Sequence, residues 1–241
     1  MKEDLVKKLR KLNFVIVSHV LVTGPAIELE EFLKDKVNSL IFIGHPFGFR
    51  KDIRSFYRLY ASGDLEEEKF TYPWKFPQIL TFIKEAIYTL MWILTTKEKW
   101  NIYIGSDNYS AYLGILLKKL GKVKDVILYT IDYVPNRFGN PFLNFLYRYF
   151  DRACLRKCKV IWNVSDRIIE AREKYERVSR EDSVAQITVP LGIWYDRIPK
   201  VPLAERDNNT LVFLGTVLEK QGLEIVIKAL PVIFQKLPEV K

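Results

Sequence analysis

The clearest pattern along the chain is a repeated alternation of short apolar runs with longer amphipathic stretches. The short runs are rich in β-branched residues and apolar throughout, as in strands that are buried on both faces of a sheet. Six of them predict strands, at 14–17, 39–43, 101–105, 125–131, 159–164 and 185–189. Helical spacing of apolar residues predicts five helices, at 25–36, 77–95, 108–120, 139–157 and 166–178.

This alternation indicates an α/β fold with a doubly wound, mostly parallel, Rossmann-like sheet. Such sheets bind ligands at the carboxyl ends of their strands, near the point where the strand order reverses. The residues that directly follow the strands are therefore the first candidates for a site. They include His19 after the first run, Asp107 after the third and Asp132 after the fourth.

The pattern changes near the end of the chain. Residues 196–209 contain two prolines, many charges and little periodicity, which is typical of a linker. Residues 210–241 then open with an apolar run and continue with a helical apolar stripe, which Pro231 is expected to kink. One strand and one amphipathic helix cannot bury themselves. We therefore interpret 1–195 as one α/β domain and 210–241 as the truncated start of a second.

Composition and charge restrict the class of protein. The formal net charge of +9 favours anionic partners, and phosphorylated sugars, acidic lipid headgroups and nucleic acid all fit. Cys154 and Cys158 are the only cysteines, and no nearby ligand completes a tetrahedral zinc site, so we expect no metal. The first residues lack both a membrane-spanning run and a signal-cleavage site. The sequence therefore predicts a cytoplasmic protein.

Three short segments resemble one known family. Residues 213–230 read FLGTVLEKQGLEIVIKAL, with a strand, a glycine turn, a lysine, a glycine and a helix in that order. Together with VTGPAIELEEFLK at 22–34 and PLGIWYD at 190–196, they resemble the family 4 glycosyltransferases, which have the GT-B architecture and retain the donor's configuration. The resemblance covers most of the chain. It implies transfer of a hexose-like sugar from a nucleotide-sugar to a glycan or lipid-linked acceptor, as in polysaccharide biosynthesis, with no cofactor.

The resemblance also implies a set of donor-side residues. Gly215, Thr216, Lys220 and Gly222 would bind the nucleotide-sugar, because a glycine turn lets backbone amides approach a diphosphate. Lys220 would also act in catalysis by stabilising the departing diphosphate. Thr216 stands where many relatives have Arg, and Gln221 separates Lys220 from Gly222. The alternative interpretation is an ordinary tight turn at Gly215 and a solvated lysine at the start of a helix.

On the acceptor side, the expected catalytic residue is Asp132. Relatives often have a histidine at this position, and a carboxylate there could accept the proton of the acceptor hydroxyl. Asp132 could equally cap the segment that follows it. Asp107 presents the same two alternatives, acceptor binding or capping of the helix that starts near Tyr109.

The candidate acceptor-binding residues are His19, Gly24, Pro25, Asp107 and Arg137. Gly24 and Pro25 suit a close-approach turn followed by a helix-start proline, which leaves amides free for a phosphate or hydroxyl. Arg137 would pair with an acceptor phosphate or with nothing. His45 precedes Pro46 and is interpreted as part of a structural turn.

The aromatic and basic segment 47–77 also has two interpretations. It could lie at an acidic membrane surface, or its rings could pack over the edge of the sheet. The basic stretch 137–180 is either a solvated helix face or a second membrane-facing patch. The first interpretation of segment 47–77 and the second of stretch 137–180 both imply peripheral contact with the cytoplasmic face of the membrane.

Two other function classes compete with sugar transfer. In relatives, a pair of glutamates that contacts the donor lies further along than residue 241, so we expect little or no transfer from this chain alone. A separate chain would then supply the rest of the donor domain, or the protein would be a non-catalytic module that binds an acceptor or a partner. The other class is a basic, nucleic-acid-binding Rossmann-like domain. No recognised binding motif supports it, and we expect no nucleic-acid partner.

Overall fold

The computed structural model of the protein describes residues 3–20, 24–192, 194–207, 209–215, 217 and 219–240. The chain divides into two compact units, Met1–Gly192 and Ile193–Lys241. The predicted arrangement of an acceptor-side domain at 1–195, a linker at 196–209 and a donor-domain start at 210–241 stays a prediction.

The first unit alternates strands and helices as the sequence predicts. Its elements are α1 (Glu3–Leu9), β1 (Asn13–Val20), α2 (Pro25–Leu33), β2 (Ser39–Pro46), β3 (Phe56–Ala61), β4 (Asp64–Phe70), α3 (Gln78–Leu94), β5 (Trp100–Gly105), α4 (Asn108–Lys119), β6 (Val123–Thr130), α5 (Pro141–Lys157), β7 (Val160–Asn163), α6 (Asp166–Glu176) and β8 (Gln186–Thr188). The six predicted strands are confirmed as β1, β2 and β5 to β8. The five predicted helices are confirmed as α2 to α6.

The strands form one sheet in the order β4-β3-β2-β1-β5-β6-β7-β8. The pairs from β2 through β1 to β8 are parallel, and the pairs β2–β3 and β3–β4 are antiparallel. The predicted fold class, a Rossmann-like α/β fold with a mostly parallel sheet, is confirmed. The chain runs from β1 outward to β2 on one side and later returns to β5 on the other, so the strand order reverses between β1 and β5.

Helices cover both faces of this sheet. Neighbouring residues of β1 point to opposite faces, with Val15 and Val17 in one buried cluster and Phe14 and Ile16 in the other. The first cluster is completed by apolar residues of α3, α4 and α5, and the second by residues of α2. Burial on both faces explains why the parallel strands are apolar throughout.

The β3–β4 hairpin was not predicted. Ser62 and Gly63 form its tight turn with φ angles of 52° and 104°, the positive values that such turns require. β4 is an edge strand with mostly exposed, charged residues, so it lacks the apolar run that marks a buried strand. Tyr57 of β3 is buried, and Phe56 stacks on Phe42 with ring centroids 5.7 Å apart. This part of segment 47–77 therefore packs against the sheet.

The second unit contains short 3-10 turns at Tyr195–Arg197, Leu203–Glu205 and Glu219–Gln221, followed by α7 (Leu223–Lys236). Pro231 lies inside α7. The strand expected at the start of 210–241 is not formed, since 210–215 carry no strand pairing. A strand needs a partner for its backbone hydrogen bonds, and the described residues of this unit offer none.

Candidate functional site

A cavity of about 860 Å³ opens in the first unit, at the carboxyl edge of the sheet where the strand order reverses. Its walls come from the end of β1, from α3, from the loops after β5 and β6, and from α5. Four of the residues predicted from the sequence line it: His19, Asp107, Asp132 and Arg137. Reversal points of parallel sheets are common ligand sites because the loops on either side diverge there.

The sheet itself brings His19 and Asp107 together. β1 and β5 are parallel neighbours, with Phe14 opposite Ile102 and Val17 opposite Gly105. Just beyond this pairing, the Ser106 amide donates to the Val17 carbonyl at 3.0 Å. Two residues that are 88 positions apart in sequence thus lie at the same edge of the sheet.

Two carboxylates hold the His19 ring from opposite sides. The Nδ1 atom of His19 lies 3.1 Å from Oδ2 of Asp107, and its Nε2 atom lies 3.1 Å from Oε2 of Glu85. Glu85 belongs to α3 and its side chain is buried. Both ring nitrogens can donate at the same time only when the imidazole is protonated.

The protonation states follow from this geometry. Burial alone would lower the pKa of His19, but the hydrogen bonds and charges of Asp107 and Glu85 raise it to about 10. Burial acts to raise the pKa of Asp107, whereas its hydrogen bonds to His19 and Ser110 and the His19 charge lower it to about 2. At neutral pH His19 is therefore a cation and Asp107 an anion. His19 cannot accept a proton, and Asp107 is a weak base.

Asp107 also caps the helix that follows it. Its Oδ1 atom accepts from the Ser110 amide at 2.8 Å, and its Oδ2 atom accepts from the Ser110 hydroxyl at 2.9 Å. The structure thus shows the capping alternative for Asp107 and places the same carboxylate in the cavity wall. The capped helix, α4, begins at Asn108.

Asp132 and Arg137 form an ion pair at the cavity wall. The Arg137 guanidinium donates to the Asp132 carboxylate at 2.9 Å. The next helix, α5, is capped by Asn140, and the two roles expected for Asp132 stay predictions. The Asp132 side chain is 62% exposed, more than those of His19 and Asp107, so it is the most open of the predicted site carboxylates to solvent.

A buried arginine forms part of the cavity lining, and the sequence did not predict it. Arg172 of α6 donates to both carboxylate oxygens of Asp151 at 2.9 Å. It also donates to Asn163 and to the Thr130 hydroxyl, each at 2.8 Å. Within the basic stretch 137–180 nothing in the sequence distinguishes this arginine from the exposed ones. Its donors are engaged by the protein, so it stiffens this part of the site rather than offering a free charge.

Most of the remaining lining is apolar. Phe82 of α3 packs against Tyr109 and against Phe138, with ring centroids 5.5 Å and 6.2 Å apart. Ile83 of α3 and Phe142 of α5 complete the lining near the surface. The cavity thus combines charged groups with apolar and aromatic walls, so it can accommodate a molecule with both kinds of surface.

Glu85 is the most important residue that the sequence analysis missed. Lys84 and Glu85 are the only charged residues of α3. Both are buried, and Nζ of Lys84 lies 3.5 Å from the Ile53 carbonyl oxygen. A charged pair inside an otherwise uncharged helix was the available signal, because such groups are seldom buried without partners.

The other predicted residues lie elsewhere. Gly24 and Pro25 are at the start of α2, and neither is among the described residues that line the cavity. Gly215 and Gly222 belong to the second unit, where Gly222 precedes α7 in a left-handed conformation. Thr216 and the side chain of Lys220 lie outside the described residues. The roles assigned to all of these residues stay predictions.

In the part of the chain that the structure describes, no three His, Cys, Asp or Glu side chains are arranged to hold a metal ion. The acidic groups at the cavity are instead matched with His19, Arg137 and Arg172. Each of these acidic side chains thus has a partner of opposite charge.

No protein-family model and no curated protein matches the sequence. Among solved structures, the chain is similar to the catalytic domain of starch synthase IV from Arabidopsis thaliana bound to ADP and acarbose. The two share 10% sequence identity and a TM-score of 0.48, over 77% of this chain and 52% of the other. The chain thus spans about half the length of that structure. A similarity of this extent identifies neither a substrate nor a reaction.

Proposed function

We propose that the first unit is the acceptor-binding domain of a retaining glycosyltransferase. In this proposal the enzyme moves a sugar from a nucleotide-sugar to a glycan or lipid-linked acceptor, in the cytoplasm and at the membrane surface when the acceptor is lipid-linked. The observation that carries the proposal is the cavity at the sheet's reversal point, with the Asp132–Arg137 pair at its wall. The three motifs at 22–34, 190–196 and 213–230 agree with it.

The cavity has the size and lining for an acceptor. Its volume of about 860 Å³ lies in the range of small-molecule sites, which are mostly apolar with a few polar groups that orient the ligand. The faces of Phe82 and Phe138 suit the apolar part of an acceptor. Arg137 suits a hydroxyl or phosphate of the same molecule.

Asp132 is the proposed general base. His19 is already protonated, and the low pKa of Asp107 makes that carboxylate a poor proton acceptor. Asp132 would accept the proton of the acceptor hydroxyl. At the same time the hydroxyl oxygen would bond to the anomeric carbon of the donor sugar, and the bond between that carbon and the diphosphate oxygen would break. His19, Asp107 and Glu85 would act as positioning residues that keep this edge of the sheet rigid.

The donor side of the proposal rests on the second unit. Gly215, Thr216, Lys220 and Gly222 are the proposed diphosphate-binding residues, and Lys220 would stabilise the leaving diphosphate. This assignment comes from the resemblance of 213–230 to the donor motif of the family.

Acceptor binding tests the proposal without requiring turnover. Fluorescent lipid-linked and free oligosaccharides are titrated into the chain and into its Ala86→Trp variant, because Ala86 lines the cavity. We expect the indole to fill the site and weaken binding by about tenfold or more, which corresponds to about 1.4 kcal/mol. The matched control is Ala204→Trp, at an exposed alanine of the second unit.

Equal binding by both variants would contradict an acceptor site in the cavity. Transfer is then assayed with labelled UDP- and GDP-sugars. The assay is repeated with a complementary donor-domain chain. If the acceptor still binds but no transfer occurs, the result would favour the non-catalytic module. Binding to single or double-stranded nucleic acid that weakens steeply with salt would favour the nucleic-acid alternative instead.

A further inference from the structure

Helix α3 has its charged residues on the inside. Its buried residues are Lys84, Glu85, Thr89, Trp92 and Ile93, while six large apolar residues on its other side are between 41% and 57% exposed. These six define the outer face of α3: Ile79, Leu80, Ile83, Ile87, Met91 and Leu94. A helix at the surface of a globular protein normally presents the opposite pattern.

The outer face is continuous. At 3.6 residues per turn, its six residues fall within an arc of about 120° along roughly 25 Å of helix. Leu90 is the one other residue in this arc, so every position in it is apolar. Monomeric proteins seldom leave so regular an apolar stripe uncovered.

The composition of this face favours hydrocarbon over a protein partner. Aromatic residues, methionine and arginine are enriched at protein interfaces, and of these the outer face has only Met91. Its ends carry the residues that suit a lipid headgroup layer. Tyr72 and Trp74 stack just before α3, with ring centroids 5.7 Å apart, and both are exposed.

Charge at both ends fits an anionic bilayer. Lys75 precedes α3, and Lys97 and Lys99 follow it, all three exposed, against a single exposed Glu98. Lysine side chains can extend to lipid phosphates while the apolar face is buried. None of the described helices has the length and apolarity to cross a bilayer. With its inner side packed on the sheet, α3 can only lie along the surface.

We propose that the outer face of α3 inserts into the surface of an anionic membrane. Ile79 and Ile83 belong both to this face and to the cavity lining, so the cavity opens where the membrane would be. This would let the lipid part of an acceptor pass from the bilayer into the cavity. The proposal rests on the membrane contact in the proposed function, but vesicle binding requires no sugar transfer, so the two can fail separately.

Vesicle flotation of the chain tests the inserted face directly. Vesicles of phosphatidylcholine alone are compared with vesicles that also contain phosphatidylglycerol. The chain should bind the anionic vesicles at least about tenfold more tightly than the phosphatidylcholine vesicles, since each lysine near such a surface contributes on the order of 1 kcal/mol. The triple variant Leu80→Gln, Ile87→Gln, Met91→Gln avoids the cavity lining. It should lose on the order of a hundredfold in binding.

In the control variant Leu65, Leu120 and Ile187 are each replaced by glutamine; these residues are between 47% and 65% exposed. It should bind vesicles like the unmodified chain. A second readout uses Ile87→Cys with an environment-sensitive dye, because Cys154 and Cys158 are buried and should resist labelling. With Ile87→Cys, the dye emission should shift to the blue on anionic vesicles, and spin-labelled lipids should quench that emission. Neither effect is expected with Leu120→Cys.

Three results would overturn the proposal. One is that neither kind of vesicle binds the chain. Another is that both triple variants bind equally well. The third is that the chain self-associates in sedimentation and only the α3 variant is monomeric, which would assign the outer face to a second copy of the chain.

Discussion

Two histidines lie side by side at the carboxyl edge of the sheet, and one is charged while the other is neutral. His19 of β1 and His45 of β2 are register partners, with ring centroids 5.8 Å apart. His19 lies between two carboxylates, and its pKa is raised to about 10. His45 lies between the hydroxyls of Ser55 and Thr89, each at 2.9 Å, and burial lowers its pKa well below the usual value. The partners, not the residue type, decide the charge.

Helix α3 supplies one partner to each histidine. Glu85 and Thr89 are four positions apart, so they project from the same side of the helix toward neighbouring strand ends. The charge of His19 also helps to keep His45 neutral. The difference shows how one helix can set up a charged group at the cavity and an uncharged, fully buried group beside it.

The largest expected effect comes from removing each histidine in turn. His19→Gln leaves Asp107 and Glu85 without their cation, and losing one partner of a buried ion pair typically costs about 3–5 kcal/mol. His45→Gln removes only neutral hydrogen bonds, at about 1–2 kcal/mol. Urea unfolding of both variants measures the difference. Equal losses would show that His19 is not the cation we infer.

The second prediction separates the histidines by pH. The folded pKa of His19 lies above its unfolded value, so its stabilisation is complete below about pH 6.5 and is lost as pH rises through about 10. Between about pH 7 and about pH 9 the free energy of unfolding should fall by about 2–3 kcal/mol. His45 has the opposite sign, because its lowered pKa makes stability fall as pH drops below about 6.5.

Urea unfolding is measured across this pH range for the unmodified chain and for His19→Gln and His45→Gln. The comparison shows which histidine causes the loss of stability at alkaline pH and which causes the loss at acidic pH. The alkaline loss should disappear in His19→Gln and persist in His45→Gln. An alkaline loss that survives in both variants would have to come from other groups.

The smallest effects come from changing one partner of each histidine. Asp107→Asn keeps a residue that caps helices well but removes the charge beside His19, so about 1–2 kcal/mol of stability should be lost. The pKa of His19, followed by NMR of its imidazole protons, should fall from about 10 towards its ordinary value. The matched variant Ser55→Ala should cost about 1 kcal/mol and leave His45 neutral. An unchanged His19 pKa in Asp107→Asn would mean that Glu85 alone holds the cation.

Much of the fold could be predicted because buried parallel strands have a strong local signature. Six strands and five helices followed from apolar runs and helical spacing. The β3–β4 hairpin did not, because an exposed edge strand such as Asp64–Phe70 carries charges where buried strands carry apolar residues. The strand expected in 210–215 had the right composition, but composition supplies no hydrogen-bonding partner.

The site was predictable only in part, for a related reason. The rule that ligands bind at the carboxyl ends of parallel strands selected His19, Asp107 and Asp132, and all three line the cavity. This rule did not select Glu85 and Arg172, because both lie within helices. No sequence rule says which turn of a helix faces the end of a sheet. His45 was expected in a turn, yet β2 extends through it to Pro46.

By itself the sequence determined the order of the elements, the buried strands and the edge of the sheet at which chemistry can occur. These depend on local periodicity, which is written in neighbouring residues. Only the tertiary structure decided that His19 is charged and His45 is not, and that the apolar side of α3 faces outward. A pKa depends on groups that are tens of residues away in the chain, and the direction of a helix face depends on what the rest of the fold places against it.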